Sequence, residues 1–488
     1  MRRYHLQWAL LPQGWTRDVL VEVSGEGIIG AIAAAAAPGG PGAARTSGAD
    51  AAGPAGSGAE RIEGIAVPGM PNAHSHAFQR AMAGNTEYRS SQRDSFWTWR
   101  QAMYALANRI EPGDLEILAT QLFLEMLKSG YTSVAEFHYL HRQKGAIPYP
   151  AANALWEAVG NAATIAGIGL TFLPTLYQTG DFGGRPLKPE QARFESDTDT
   201  FLRAVADRID GERRMQGAAG QPRTQRTGAA FHSLRAVPLA TLRAAAERLR
   251  EMAADMPVHI HVAEQLLEVQ ACLRETGRRP IELLLDTGLV DRHWCLVHAT
   301  HATGAELKGI AASSATVCVS ISTEANLGDG FFDAARFLQA GGRLCVGSDS
   351  QSTVSPSEEL RWLEYQQRLR KKRRAVLATK PEPHVGTRLW RDAAQHGAQA
   401  IGQPCGAIEV GRRADWLVLD AAHPSLAGAA ADTALDHLLF AGGDAAIRDV
   451  MVAGRWVIKD RRHAAEEDLR PRFAALMRKL ALPELNPG

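Results

Sequence analysis

Between residues 65 and 347 the chain alternates between short runs rich in Val, Ile, Leu and Ala and longer runs of helical periodicity. Strand-like runs fall at 65–70, 133–137, 170–176, 229–234, 258–263, 295–299, 316–321 and 343–347. Helix-like runs precede the second strand (101–107 and 115–128), the third (152–166), the fifth (239–252), the sixth (266–275 and 281–286) and the eighth (332–340). Parallel neighbours can be joined only by a crossover, so this alternation predicts a parallel sheet covered by helices. Eight such strands close a (β/α)8 barrel of the TIM type. An open doubly wound sheet is the alternative, but no G-x-G-x-x-G follows the first strand.

Outside this region the texture changes. Residues 5–11, 18–23 and 28–32 read as short strands, as do the segments GAIEVGRRADWLVLD and DVMVAGRWVIKD near the other end. The two termini are therefore expected to pair into a small β-sandwich domain beside the barrel. The division is 1–66 and 397–488 for that domain, the latter ending in a helix, and 67–396 for the barrel. Residues 33–58, almost wholly Ala, Gly, Pro and Ser, cannot bury enough side chain to offset their ordering entropy and read as a flexible insertion. Residues 211–227 read as a second, polar insertion. The KKRR run at 371–374 follows an amphipathic stretch and reads as a solvated helix end.

Lys+Arg 54 against Asp+Glu 53 leaves a formal charge of +1, which removes the general electrostatic case for nucleic acid or an anionic membrane as partner. The five cysteines are scattered and never in C-x-x-C, which suits a reducing compartment. The opening MRRYHLQWALLPQGW lacks a continuous apolar stretch and a small-residue cleavage site, and no apolar run reaches the roughly 20 residues of a membrane span. A cytoplasmic location is expected.

The polar residues at the strand ends carry the chemistry. His74 and His76 stand one residue apart after the first strand, so an extended backbone puts both imidazoles on one side. The fifth strand, PVHIHVAEQ, carries His259 and His261 with Glu264 just beyond; the sixth ends at His298, with His301 beyond; the eighth ends at Asp349. Residues at the C-terminal ends of barrel strands converge on one mouth. Three imidazoles and a carboxylate suit a catalytic zinc that keeps a position open for water. His259 and His301 read as histidines satisfied by backbone groups.

These segments, with the STEANLG turn at 322–328 and the Gly-Ser-Asp of the eighth strand, resemble the amidohydrolase superfamily, and within it the aminohydrolase (deaminase) branch. The closing GRRAD and VAGR segments are similar to that superfamily's C-terminal β domain. Binuclear members bridge two metals through a carboxylated lysine on the fourth strand. Here that strand, AAFHSLRA, has none, so the resemblance implies one Zn2+ per subunit on His74, His76, His261 and Asp349. The ligand types admit Fe2+ as well. Asp349 is expected to take a proton from water, His298 to hold the water and the tetrahedral centre, and Glu264 to carry the proton to the departing nitrogen. Homodimerisation is implied by the same resemblance.

Arg100, after the aromatic cluster Phe96-Trp97-Thr98-Trp99, and Arg235 are placed to face the mouth. Guanidinium forks bind carboxylates bidentately, so a pair of them suits an amino-acid-derived dianion better than a base. Segments HSHAFQRAMAG, DSFWTWR, AEFHYLH and FHSLRAV further resemble the family of formimidoylglutamate deiminases of bacterial histidine degradation. That resemblance implies hydrolysis of a formimidoyl C=N to formyl and ammonia, with Gln79, Arg100, Tyr139, His232 and Arg235 binding substrate. Tyr139 packing in the core and Arg100 paired with Asp94 are the structural alternatives. Deamination of another C=N substrate (nucleobase, guanidine or S-adenosylhomocysteine type) and a ligand-binding barrel without chemistry both remain open at this point.

Overall fold

The computed structural model describes residues 1–34, 58–87, 96–151, 153–216 and 224–481. Eight parallel strands follow one another in a single sheet: Met70–Ser75, Tyr131–His138, Gly169–Leu176, Ala229–Phe231, Val258–Val262, Trp294–His298, Thr316–Val319 and Arg343–Val346. Every residue of Tyr131–His138, Gly169–Leu176 and Val258–Val262 is buried, as expected of strands covered on both faces. A lone parallel bridge between Ser75 and Asp349 joins the first strand to the end of the eighth and closes the barrel. Asp349 N donates to His74 O at 3.0 Å and His76 N to Asp349 O at 3.2 Å. Asn72 and Ser348 add two more bonds across this seam, at 2.7 and 3.1 Å. Only glycine fits at 347, because a Cβ there would sit 2.7 Å from His74 Cβ.

Strands from both termini form one seven-stranded sheet, ordered Arg455–Ile458, Ile447–Val452, Trp416–Leu419, Glu60–Pro68, Arg2–Leu11, Gly14–Val23 and Ile29–Ala34. Its core gathers Tyr4, Leu6, Val19, Val21, Trp416 and Met451. The apolar run at 65–67, expected to open the barrel, instead belongs to this sheet, and the barrel begins at Met70. The corner between them is Pro68-Gly69: Pro68 offers no amide hydrogen to continue a ladder, and a Cβ at 69 would lie 2.3 Å from Thr132 Cγ2.

One further expectation needs correction. The fourth strand stops at Phe231, leaving His232 and Arg235 on the following turn. The polar stretch at 211–227 is structured at both ends: the helix Thr198–Gln216 runs into it, and Gln225–Thr227 pairs with Gly169–Leu176. Its middle, 217–223, lies outside the described residues, as do 35–57 of the first insertion and Asp94. The KKRR run begins on the last residue of the helix Pro356–Lys371, with Lys372 left-handed, and its four side chains are exposed where cations complement the helix dipole. The helix Val385–Ile401 lies across the N-terminal end of the barrel, where Thr171 Oγ1 donates to Ile401 O at 2.7 Å and Trp390 Nε1 to Pro68 O at 2.9 Å. The opposite end is left free for the site. No described helix is long and apolar enough to cross a membrane.

Candidate active site

His74, His76, His261, His298 and Asp349 meet at the C-terminal mouth, all buried. His74 Nε2 lies 3.0 Å from His261 Nε2 and 3.4 Å from Asp349 Oδ1, and His76 Nε2 lies 3.4 Å from that same oxygen. Two overlapping groups, His74 with His76 and Asp349, and His74 with His261 and His298, each keep their ligand atoms within 4.8 Å of one another.

The backbone sets which nitrogens face inward. His76 Nδ1 donates to Phe137 O at 2.8 Å and His261 Nδ1 to His232 O at 2.8 Å. A carbonyl only accepts, so both rings carry their proton on Nδ1 and present a bare Nε2 lone pair to the centre. Burial, reinforced by the neighbouring rings, keeps them neutral: His76 is lowered to about 3 and His261 falls well below its ordinary value. Burial alone would raise Asp349, but a hydrogen bond from His74 and the surrounding rings hold its carboxyl below the usual range. Imidazole lone pairs and a carboxylate converging in a dry space call for a cation, so this donor set fits a divalent metal.

Beside it stand groups of a different kind. His298 Nε2 lies 3.7 Å from Glu264 Oε1 and 3.8 Å from Asp349 Oδ2, while its Nδ1 faces Glu324 Oε1 at 3.3 Å. Burial works against its charge, but Glu264, Glu324 and Asp349 raise His298 to about 10. Glu264 is pushed up to about 7, mainly by burial. The two act on each other: charge on Glu264 favours the His298 imidazolium, and charge on His298 favours the Glu264 carboxylate. Ala263, His298, Ala299 and Asp349 all adopt positive φ (53°, 69°, 51° and 47°), so backbone strain collects where the strands end.

The wall of the cavity above the centre includes Gln79, Arg100, Tyr139, His232, Arg235 and Glu264. Gln79 Nε2 donates to Tyr139 Oη at 2.9 Å, leaving its Oε1 without a partner among the described residues. Arg235 is 8% exposed, yet its Nη1 has no hydrogen-bond partner there either. A buried guanidinium with a bare N–H facing a cavity is costly without an anion. His259 and His301 stand apart from the donor groups; His259 Nε2 donates to Ala400 O at 2.8 Å.

Three acids near the site were given no role from the sequence. Glu136 accepts from Ser75 Oγ at 2.8 Å and Ala77 N at 2.6 Å, fixing the backbone that carries His74 and His76. Glu268 accepts from Ala263 N at 3.2 Å and Glu264 N at 3.0 Å, fixing the turn that presents Glu264. Glu324, which backs His298, is the third. A carboxylate in the middle of an apolar strand, as in SVAEFH, was the available signal for the first.

The chain is similar to several known proteins. The profile described as "Amidohydrolase family" matches residues 65–457. The formimidoylglutamate deiminase of Pseudomonas aeruginosa is 47% identical over 475 residues, covering 97% of this chain and 98% of that one. A 5-methylthioadenosine/S-adenosylhomocysteine deaminase of Desulforudis audaxviator is 27% identical over 404 residues, 82% of each chain. Among solved structures, an amidohydrolase from Brucella melitensis superposes with a TM-score of 0.86 at 37% identity, over 98% of this chain and 100% of that one. An adenosine deaminase from Xanthomonas campestris with bound zinc gives a TM-score of 0.75 at 20% identity, over 98% of each chain, a likeness of fold alone.

Proposed function

This chain belongs to the amidohydrolase family, and from that premise we propose that it hydrolyses N-formimidoyl-L-glutamate to N-formyl-L-glutamate and ammonia, a step of histidine degradation. The observation that carries the reading is the pairing of the two overlapping donor groups, sharing His74, with a cavity whose buried Arg235 nitrogen lacks a partner among the described residues. A base deaminase has no need of buried cations; a dicarboxylate does.

We assign one zinc ion to His74, His76, His261 and Asp349. Bound there, it supplies Lewis acidity that brings the pKa of a water towards neutrality. Asp349 accepts the water's proton. His298 donates a hydrogen bond to the oxygen as it adds to the formimidoyl carbon, turning C=N into a C–N single bond at a tetrahedral centre. Glu264 delivers its proton to that nitrogen, Asp349 passes on the proton it took from the water, the C–N bond breaks with departure of ammonia, and the hydroxyl proton released as the C=O forms returns to Glu264. Arg100 and Arg235 take the two carboxylates, and Gln79, Tyr139 and His232 orient the body of the substrate. Five buried free cysteines accord with a cytoplasmic enzyme, and we assign it a homodimeric state by kinship.

The test is turnover by the zinc-loaded protein of N-formimidoyl-L-glutamate against S-adenosylhomocysteine and 8-oxoguanine, with ammonia and N-formylglutamate measured separately. Turnover of the bases without the formimidoyl compound overturns the assignment.

A further inference from the structure

Behind the two arginines lies a phenol outside the cavity wall. Tyr177 follows the third barrel strand and is 1% exposed. Its hydroxyl accepts from Arg100 Nη2 at 3.3 Å and from Gln191 Nε2 at 2.8 Å, and the charge of the Arg235 guanidinium acts on it. Gln191 donates in turn to Tyr104 Oη at 3.1 Å, and the Tyr104 ring carries Arg100 Cζ 5.1 Å from its centroid.

Two guanidiniums confined in a low-dielectric wall repel each other, and they stay close only with electron density between them. The Tyr177 oxygen supplies it at Arg100. Burial would raise the phenol, yet both guanidiniums draw it below its ordinary value. Without that oxygen Arg100 keeps its stacking on Trp97 and Tyr104 (5.4 and 5.1 Å) and loses its reason to lean towards Arg235.

Resting on the dicarboxylate reading above, we propose that Tyr177 is a positioning residue: it fixes the separation of Arg100 and Arg235, and so the spacing between carboxylates that the site accepts. Gln191, which holds the phenol from behind, serves the same end at one remove. The device costs no ligand contact, because its gain is paid in advance as preorganisation.

The experiment measures binding of glutarate, succinate and butyrate to the zinc-loaded protein by calorimetry, in wild type, Tyr177→Phe and Gln191→Met. Tyr177→Phe is expected to weaken glutarate by about tenfold, the worth of one charge-assisted hydrogen bond, and to erase the preference for glutarate over succinate. Butyrate, held by one carboxylate, changes by less than about threefold. With N-formimidoyl-L-glutamate, KM rises while kcat stays within about threefold, as for an interaction equal in ground and transition states. Gln191→Met moves the same quantities in the same direction by less, and carries the test if Tyr177→Phe does not fold. Equal weakening of glutarate and butyrate, an unchanged chain-length preference, or no glutarate binding by wild type overturns the proposal. Intact glutarate binding without turnover of the formimidoyl compound overturns the substrate assignment and leaves the clamp standing.

Discussion

Arg413→Met is expected to unfold the junction between the two sheets at a cost of about 4–6 kcal/mol. Arg413 and Asp415 are both fully buried, with Nη2 to Oδ2 at 2.6 Å and Nε to Oδ1 and Oδ2 at 3.0 and 2.9 Å. The same guanidinium donates to Ser133 Oγ at 2.6 Å, on the second barrel strand, and to Gln403. Removing it leaves the Asp415 carboxylate in the dark with Ala453 N, at 2.8 Å, as a remaining donor. Stranding one member of a buried pair costs about 3–5 kcal/mol, and the lost Ser133 bond adds about 1. Against a total stability of about 5–15 kcal/mol that is a large fraction. The double variant Arg413→Met/Asp415→Leu removes the stranded charge and should recover at least half of the loss. Urea denaturation of the zinc-loaded protein, followed by tryptophan emission, measures all four corners of the cycle. A single variant within about 1 kcal/mol of wild type, or a double variant as damaged as the sum of the singles, refutes the reasoning.

Glu264→Gln should lower kcat by about 10²- to 10⁴-fold, the usual worth of a general acid. Its metal content, read by mass spectrometry, should be unchanged, because Glu264 is in neither donor group; loss of metal would make it a ligand instead. Chelation with dipicolinate should abolish turnover and lower Tm, with both restored by zinc. At free zinc a thousandfold above Kd the difference is about 4 kcal/mol, and an unmoved Tm would exclude a bound structural role for the ion. Glu359, which accepts from Ser322 N at 3.1 Å, is raised to about 8, chiefly by burial. It therefore holds its proton more tightly folded than unfolded, and the stability so gained is present in acid and lost as pH rises through about 8. Glu359→Gln should remove up to about 1.4 kcal/mol per pH unit from that decline, and an unaltered slope of urea stability against pH would refute it.

The barrel could be read in the sequence because parallel strands are short apolar runs, and helices of 3.6 periodicity must separate them. Leu239–Met252 begins and ends where its periodicity does. The first strand was harder: Ile65-Ala66-Val67 is apolar enough for either sheet, and only tertiary pairing with Trp416–Leu419 decides it. His74, His76, His261 and Asp349 were visible because histidine and aspartate are rare at the ends of apolar runs. Tyr177 and Gln191 were not, since a tyrosine after a strand looks like packing until its hydroxyl is seen against Arg100 and Gln191. Glu268 was hidden for a similar reason: an acid in the first turn of a helix has an ordinary explanation in the helix dipole.

The joint between residues 75 and 349 gives the molecule a point of failure as well as a centre. The backbone that shuts the sheet and the side chains of the donor groups belong to the same few residues, so without a cation the protein holds lone pairs face to face across the place where its ring of strands is shut. If the proposed metal is withdrawn, opening should begin there. Amide exchange quickening first at 72–76 and 346–350, well before the far side of the ring, is how it would register.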